Sequence, residues 1–187
     1  MAGFIDELIG SLGSEVTQNL TSTLGINAKT AAQVLPTVAP LILSGLKKQM
    51  EERGGAPRVD HILNKYGSDS VLDDVAGLFQ QKASAPTQDP NLGGLLGNVG
   101  VQAASILSKN LKIDASTAMK IIPMIAPIVL GALTRKRDSG GLGSTGIASL
   151  LDANGDGSIL DDVAGFLLKS KSGGNVLGGL LGSLFKR

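Results

Sequence analysis

Asp152, Asn154 and Asp156 place oxygen-bearing side chains at alternate positions, and Gly157, Ser158 and Ile159 follow directly. This is the order of the first eight positions of an EF-hand-type calcium loop. A hard cation such as Ca2+ takes about six to eight oxygens, alternate residues of a tight turn point inward, and glycine permits the bend. The backbone carbonyl of Ser158 would supply the next ligand. Where the full loop carries a bidentate Glu, this sequence has Val163, and Asp161 and Asp162 are the carboxylates that could substitute for it. The same residues also suit a turn ahead of a capped helix. The corresponding earlier stretch, Asn64-Lys-Tyr-Gly-Ser-Asp69-Ser70, keeps that turn and loses the ligand set. A cation bound at 152–162 would be structural rather than catalytic.

Other reaction chemistry is sparse. There is no Cys, which excludes disulfides and thiolate nucleophiles, and His61 is the single His. His61 lies beside Asp60 on an expected short helix, with no nucleophile spaced to use it. The sequence is therefore read as non-enzymatic. Seventeen basic and sixteen acidic residues leave a net charge of +1, so no bulk field draws the chain to nucleic acid. Arg135-Lys136-Arg137 is a short cationic run without aromatics, the composition of a solvated helix end. Gly140-Gly-Leu-Gly143 follows no strand and so fails as a phosphate loop. The start, Met1-Ala-Gly-Phe-Ile-Asp-Glu, carries acid where a secretory signal needs base. The longest apolar run, 121–133, contains two prolines and is shorter than the roughly 20 residues of a membrane span. A cytoplasmic chain without a transmembrane segment is expected.

The elements that would position these residues come in copies. Laying 24–46 over 111–133 gives ten identities in 23 ungapped positions, a shift of 87. Leu72-Asp-Asp-Val-Ala-Gly77 recurs unchanged as Leu160-Asp-Asp-Val-Ala-Gly165, a shift of 88. Ile5, Leu8, Ile9 and Leu12 have the spacing of one helical face. Leu92, Leu95, Leu96 and Val99 repeat that spacing, and Leu177, Leu180, Leu181 and Leu184 repeat it again. The apolar period is helical throughout, so the fold class is all-α: two tandem pseudo-repeats plus a third copy of the opening helix. Boundaries fall at 1–83 for repeat one, 84–91 for a linker, 92–170 for repeat two, and 171–187 for a Gly-rich tether and amphipathic tail helix.

Within each repeat, Asn27 and Asp114 are expected to cap the long helices. Pro36 and Pro123 are expected to kink or break them, because a buried proline removes a donor and clashes one turn back. Lys47-Lys48 and Arg135-Lys-Arg137 are read as their C-terminal ends, with a loop from 137 to 146. Met119 and Met124 are assigned to the core. Ser70 and Ser158, each followed three residues later by Asp, are read as relaxed capping boxes for the next short helix. That helix carries the apolar stripe Leu72, Val75 and Phe79, or Leu160, Val163 and Leu167. Tyr66 ends the preceding helix.

In the tail, Gly178-x-x-x-Gly182 sets small residues on one face and Leu177, Leu180, Leu181 and Leu184 on another. Each glycine costs a helix about 1 kcal/mol, so the segment needs a groove in which to be helical. That groove is either in its own repeat or on another chain, and the second choice is a head-to-tail contact that builds rings or filaments. The partner would then be the chain itself or another protein. Leu181-Gly-Ser-Leu184 before Lys186-Arg187 also resembles the short tags that load cargo into encapsulin shells, although the internal copy at Leu92 accounts for the same pattern.

Leu24-Gly-Ile-Asn-Ala-x-Thr-Ala with Leu35-Pro36, its echo Leu111-Lys-Ile-Asp-Ala-Ser-Thr-Ala, the Asp152–Asp162 run and the Leu/Gly tail together resemble the bacterial domain of unknown function 937, a YidB-like family. The resemblance implies an all-helical bacterial protein. It brings no activity, cofactor or catalytic residue with it.

Overall fold

In the computed structural model, the description covers residues 3–85 and 99–139, with 141, 143, 146, 147 and 151. These residues form six α-helices and one 3-10 turn, with no strand among them. They are α1 (Gly3–Leu24), α2 (Ala28–Arg53), α3 (Gly55–Tyr66), the 3-10 turn (Asp69–Leu72), α4 (Val75–Ala83), α5 (Val99–Leu111) and α6 (Ala115–Ser139). The all-α assignment holds.

Both long helices start where the sequence placed them. Asn27 Oδ1 accepts the Thr30 amide at 2.9 Å, and Asp114 Oδ1 accepts that of Thr117 at 2.9 Å. The chain enters both through the same turn. Gly25 has φ +67° and its counterpart Lys112 has φ +53°, the one non-glycine with positive φ among the described residues. A left-handed residue just past a helix end is a common stop, and glycine takes that conformation without penalty.

Neither proline pair breaks its helix. Pro36 and Pro40 lie inside α2, and Pro123 and Pro127 inside α6. A helix-interior proline costs about 3 kcal/mol, and burial is what offsets it. Val34, Leu35, Val38 and Ala39 around the first pair keep at most 2% of their surface, and Ile121 through Ala126 are all buried. Thr37 Oγ1 also donates to the Gln33 carbonyl at 2.6 Å, one residue past the carbonyl that Pro36 leaves without its amide.

α2 and α6 pack on one another at the centre. α1 lies across α2 and α4, α5 lies against α6 and α2, and α3 spans α2 and α6. Phe4, Leu8, Val16 and Leu20 form the buried face of α1, while Ile5, Ile9 and Leu12 pack at its margin. The buried apolar side chains of all these elements join in one cluster. By length and composition α6 could cross a membrane, but 72% of its apolar window is buried inside the protein. In this fold it is the core helix.

Three local expectations are corrected. α2 runs on to Arg53, so Lys47 and Lys48 lie within it, and Lys47 is buried beside Glu51 at 3.6 Å. α6 runs to Ser139, so Arg137 belongs to the helix rather than to a loop. Met119 is 42% exposed whereas Met124 is fully buried, because the two residues, five apart on a helix of 3.6 per turn, face different directions.

Candidate functional site

The calcium-loop residues Asp152, Asn154, Asp156, Ser158, Asp161 and Asp162 lie outside the described residues, as do the tail leucines Leu177, Leu180, Leu181 and Leu184. Among the described residues, no group of three or more His, Asp or Glu is gathered to hold a metal ion. His61 is exposed on α3, and Tyr66, 37% exposed, carries the Lys65 ammonium 5.2 Å above its ring. What the fold does gather is the first copy of the repeated hexapeptide, Leu72 to Gly77, against the end of α6.

Five of the six positions identical in both copies of that hexapeptide, all but Ala76, have a physical use here. Leu72 is buried at the close of the 3-10 turn. Asp73 Oδ1 receives Arg135 Nη2 at 2.8 Å, and the same nitrogen donates to the Asp69 carbonyl at 3.3 Å. Asp74, not Ser70, caps the helix: its Oδ1 accepts the Gly77 amide at 2.8 Å, and α4 begins at Val75. Val75 is fully buried. A Cβ on Gly77 would meet the Asp74 carboxylate, so a side chain there would oblige the capping group to shift. Ser70 sits inside the 3-10 turn, where its hydroxyl shares a hydrogen bond with Ser68 at 2.7 Å. Asp74 ahead of an apolar run held the signal for this cap; the Ser70-x-x-Asp73 pattern masked it.

Just before the hexapeptide, the chain touches α6 backbone to backbone. A Cβ on Gly67 would stand 2.8 Å from the Leu130 carbonyl and 2.8 Å from Thr134 Oγ1. A Cβ on Gly131 would stand 2.6 Å from the Ser68 carbonyl. Two glycines facing across a seam let the turn lie on the helix surface itself. The Thr134 hydroxyl, beside this seam, is buried and has no hydrogen-bond partner.

The cationic run is engaged rather than solvated. Besides the Arg135–Asp73 pair, Lys136 pairs with Glu7 on α1. Arg137 reaches Asp60 at 3.3 Å and Asn64 at 2.9 Å on α3, with Asp138 at 2.6 Å. The hydrogen bonds that Arg137 donates to Asp138 raise the pKa of the guanidinium and lower that of the Asp138 carboxyl. Three successive residues thus tie the end of α6 to the 3-10 turn region, α1 and α3. Exposed pairs of this kind contribute little each, about 0–1 kcal/mol, but Arg137 is only 13% exposed at its side chain. This is a fastening of elements.

The family model for a bacterial protein of unknown function, DUF937, matches residues 6–136. The chain belongs to the DUF937 family. The matched region takes in α1 through most of α6, including the first hexapeptide, and ends before the Asp152–Asp162 run. No curated protein and no solved structure matches the chain.

Proposed function

We propose that this DUF937 protein is a non-enzymatic helical interaction protein that self-associates through its C-terminal segment, 177–187. One observation carries the reading: the α1 copy of the repeated leucine pattern is a docked helix, with Leu8 buried and Ile5, Ile9 and Leu12 packed against the core formed with α2 and α4. The sequence carries three copies of that pattern and two of the proline-containing long helix. A segment with two interior glycines gains its helicity from a groove, and the third copy has the side chains to fill the groove that α1 fills in its own chain. Docking there on a second molecule is a heterologous contact, which propagates or closes into a ring. Deleting residues 177–187 lowers the mass measured by light scattering to that of one chain; an unchanged mass removes the reading.

A second reading, calcium binding at Asp152, Asn154, Asp156, Ser158, Asp161 and Asp162, is favoured by the loop spacing alone. The first hexapeptide weighs against it, because there the residues equivalent to Asp161 and Asp162 are spent on an ion pair and a helix cap. Titration calorimetry with CaCl2 on the intact protein and on Asp156→Ala separates the two. Heat that the substitution abolishes supports calcium, and absence of heat in the intact protein ends it.

A further inference from the structure

The hairpin of α5 and α6 presents a surface that packing does not explain. Along α5 and into the turn, Val101, Ser105, Lys109 and Lys112 follow one another at the spacing of a single helical face, and all four are exposed. Met119 and Lys120 are exposed just beyond the turn, near the start of α6. Val101 is 51% and Met119 42% exposed; with Tyr66 they are the large apolar side chains that the described residues leave in water. We propose that this face binds the surface of an anionic lipid membrane. Lys109, Lys112 and Lys120 meet the headgroup phosphates, and Val101 and Met119 enter the interface between headgroups and acyl chains.

The chain supplies its own control. At the shift of 87, α1 and α2 are joined by the same left-handed residue and the same kind of cap. The buried positions correspond as well: Val16 and Leu20 on α1 are enclosed, as are Ala103 and Leu107 on α5. The outward positions differ. Ser14, Ser22, Gly25, Ala32 and Gln33, all exposed, stand where the second hairpin has Val101, Lys109, Lys112, Met119 and Lys120. One exchange runs the other way, Lys29 standing where the second hairpin has Ser116. A hairpin of this kind therefore forms without cations or apolar groups on its outer face. Lys112 even holds φ +53°, where glycine would be free of penalty, and backbone strain of that sort gathers at functional positions.

Charge and side-chain chemistry select the partner. Among the described residues, Lys109, Lys112 and Lys120 form no ion pair. The acid between them, Asp114, has its carboxylate taken up by the Ser116 and Thr117 hydroxyls. A lysine beside an anionic membrane strengthens binding about fivefold, so three together give about a hundredfold. A nucleic acid offers phosphates too, but single strands are held by stacking on aromatic rings, and residues 101–120 contain none. Aliphatic side chains beside lysines suit a lipid interface instead.

Every residue in this proposal lies outside 177–187, so it does not rest on self-association. The test is co-sedimentation of the full chain with vesicles of phosphatidylglycerol and phosphatidylcholine, or of phosphatidylcholine alone. Two variants carry the residues of the first hairpin: Lys109→Ser with Lys112→Gly and Lys120→Gln, and Val101→Ser with Met119→Ala. Circular dichroism confirms that each is folded. At low salt the unmodified chain is expected to bind the anionic vesicles and leave the neutral ones. The lysine variant binds the anionic vesicles about a hundredfold more weakly, and the apolar variant is several-fold weaker. No binding to anionic vesicles, equal binding to both kinds, or a lysine variant that binds like the unmodified chain overturns the proposal. An apolar variant that binds unchanged also overturns it, and points to a surface for polyanions such as nucleic acid.

Discussion

Gly25 and Lys112 occupy the same left-handed turn at equivalent places, but only glycine does so freely. A side chain there costs about 1–2 kcal/mol. Lys112→Gly is therefore expected to raise stability by about 1 kcal/mol, read as a higher urea midpoint with unchanged slope; a lower midpoint contradicts the turn assignment. Two residues later, Asp114 is held well below the ordinary carboxylate range, first by the Thr117 hydroxyl, then by the Ser116 hydroxyl and the Thr117 amide. A depressed folded value contributes stability above the unfolded one, about 3.9, and that contribution is lost as pH falls through the depressed value. Asp114→Asn keeps a capping oxygen and removes the titration. Its melting temperature should fall less steeply between pH 5 and pH 2, in round numbers, than that of the unmodified chain. Parallel slopes would deny Asp114 its role. Both caps were legible from residue type alone, since Asn and Asp have few better positions than ahead of a helix. The cap at Asp74 was hidden, because Ser70 offers an equally good local pattern, and in the structure Ser70 lies inside the 3-10 turn instead.

At the level of elements, the long helices show packing overriding propensity. Proline reads as a break in isolation, yet α2 and α6 continue through four of them, because both helices are enclosed by neighbours that the sequence alone does not order in space. The all-helical class and the apolar face of α1 were readable from the 3.6-residue period; the 3-10 turn at Asp69–Leu72 was not. The seam between Gly67 and Gly131 was not, since a close approach has no local signature beyond a small residue. Gly131→Ala puts a methyl within 2.6 Å of the Ser68 carbonyl. Overpacking of that kind costs about 1–3 kcal/mol, to be seen as a lower denaturation midpoint. An unchanged midpoint would mean that the turn and α6 are not in contact. The fastening by Arg135, Lys136 and Arg137 also went unread, because its partners Asp73, Glu7 and Asp60 are far away in sequence. Arg137→Ala should lower the melting temperature, and more so at low salt than at high salt. A salt-independent loss would assign the effect to packing of its stem.

At the level of the molecule, one apolar cluster runs through all six helices, so elements from both sequence copies share a single interior. Among the described residues, Asn27, Asp114 and Asp74 serve as helix caps and Asp73 as an ion-pair partner in assembling this interior. The first hexapeptide is thus explained by folding, and the third leucine pattern and the oxygen-rich loop are the features proposed above for function. Native mass spectrometry of the intact chain and of the chain lacking 177–187, each with and without added Ca2+, addresses both at once. Multiples of one chain for the intact protein and a single chain for the truncated one, with no calcium adduct retained, are the expected masses. A single chain in both, or the same multiple in both, contradicts self-association through the C-terminal segment.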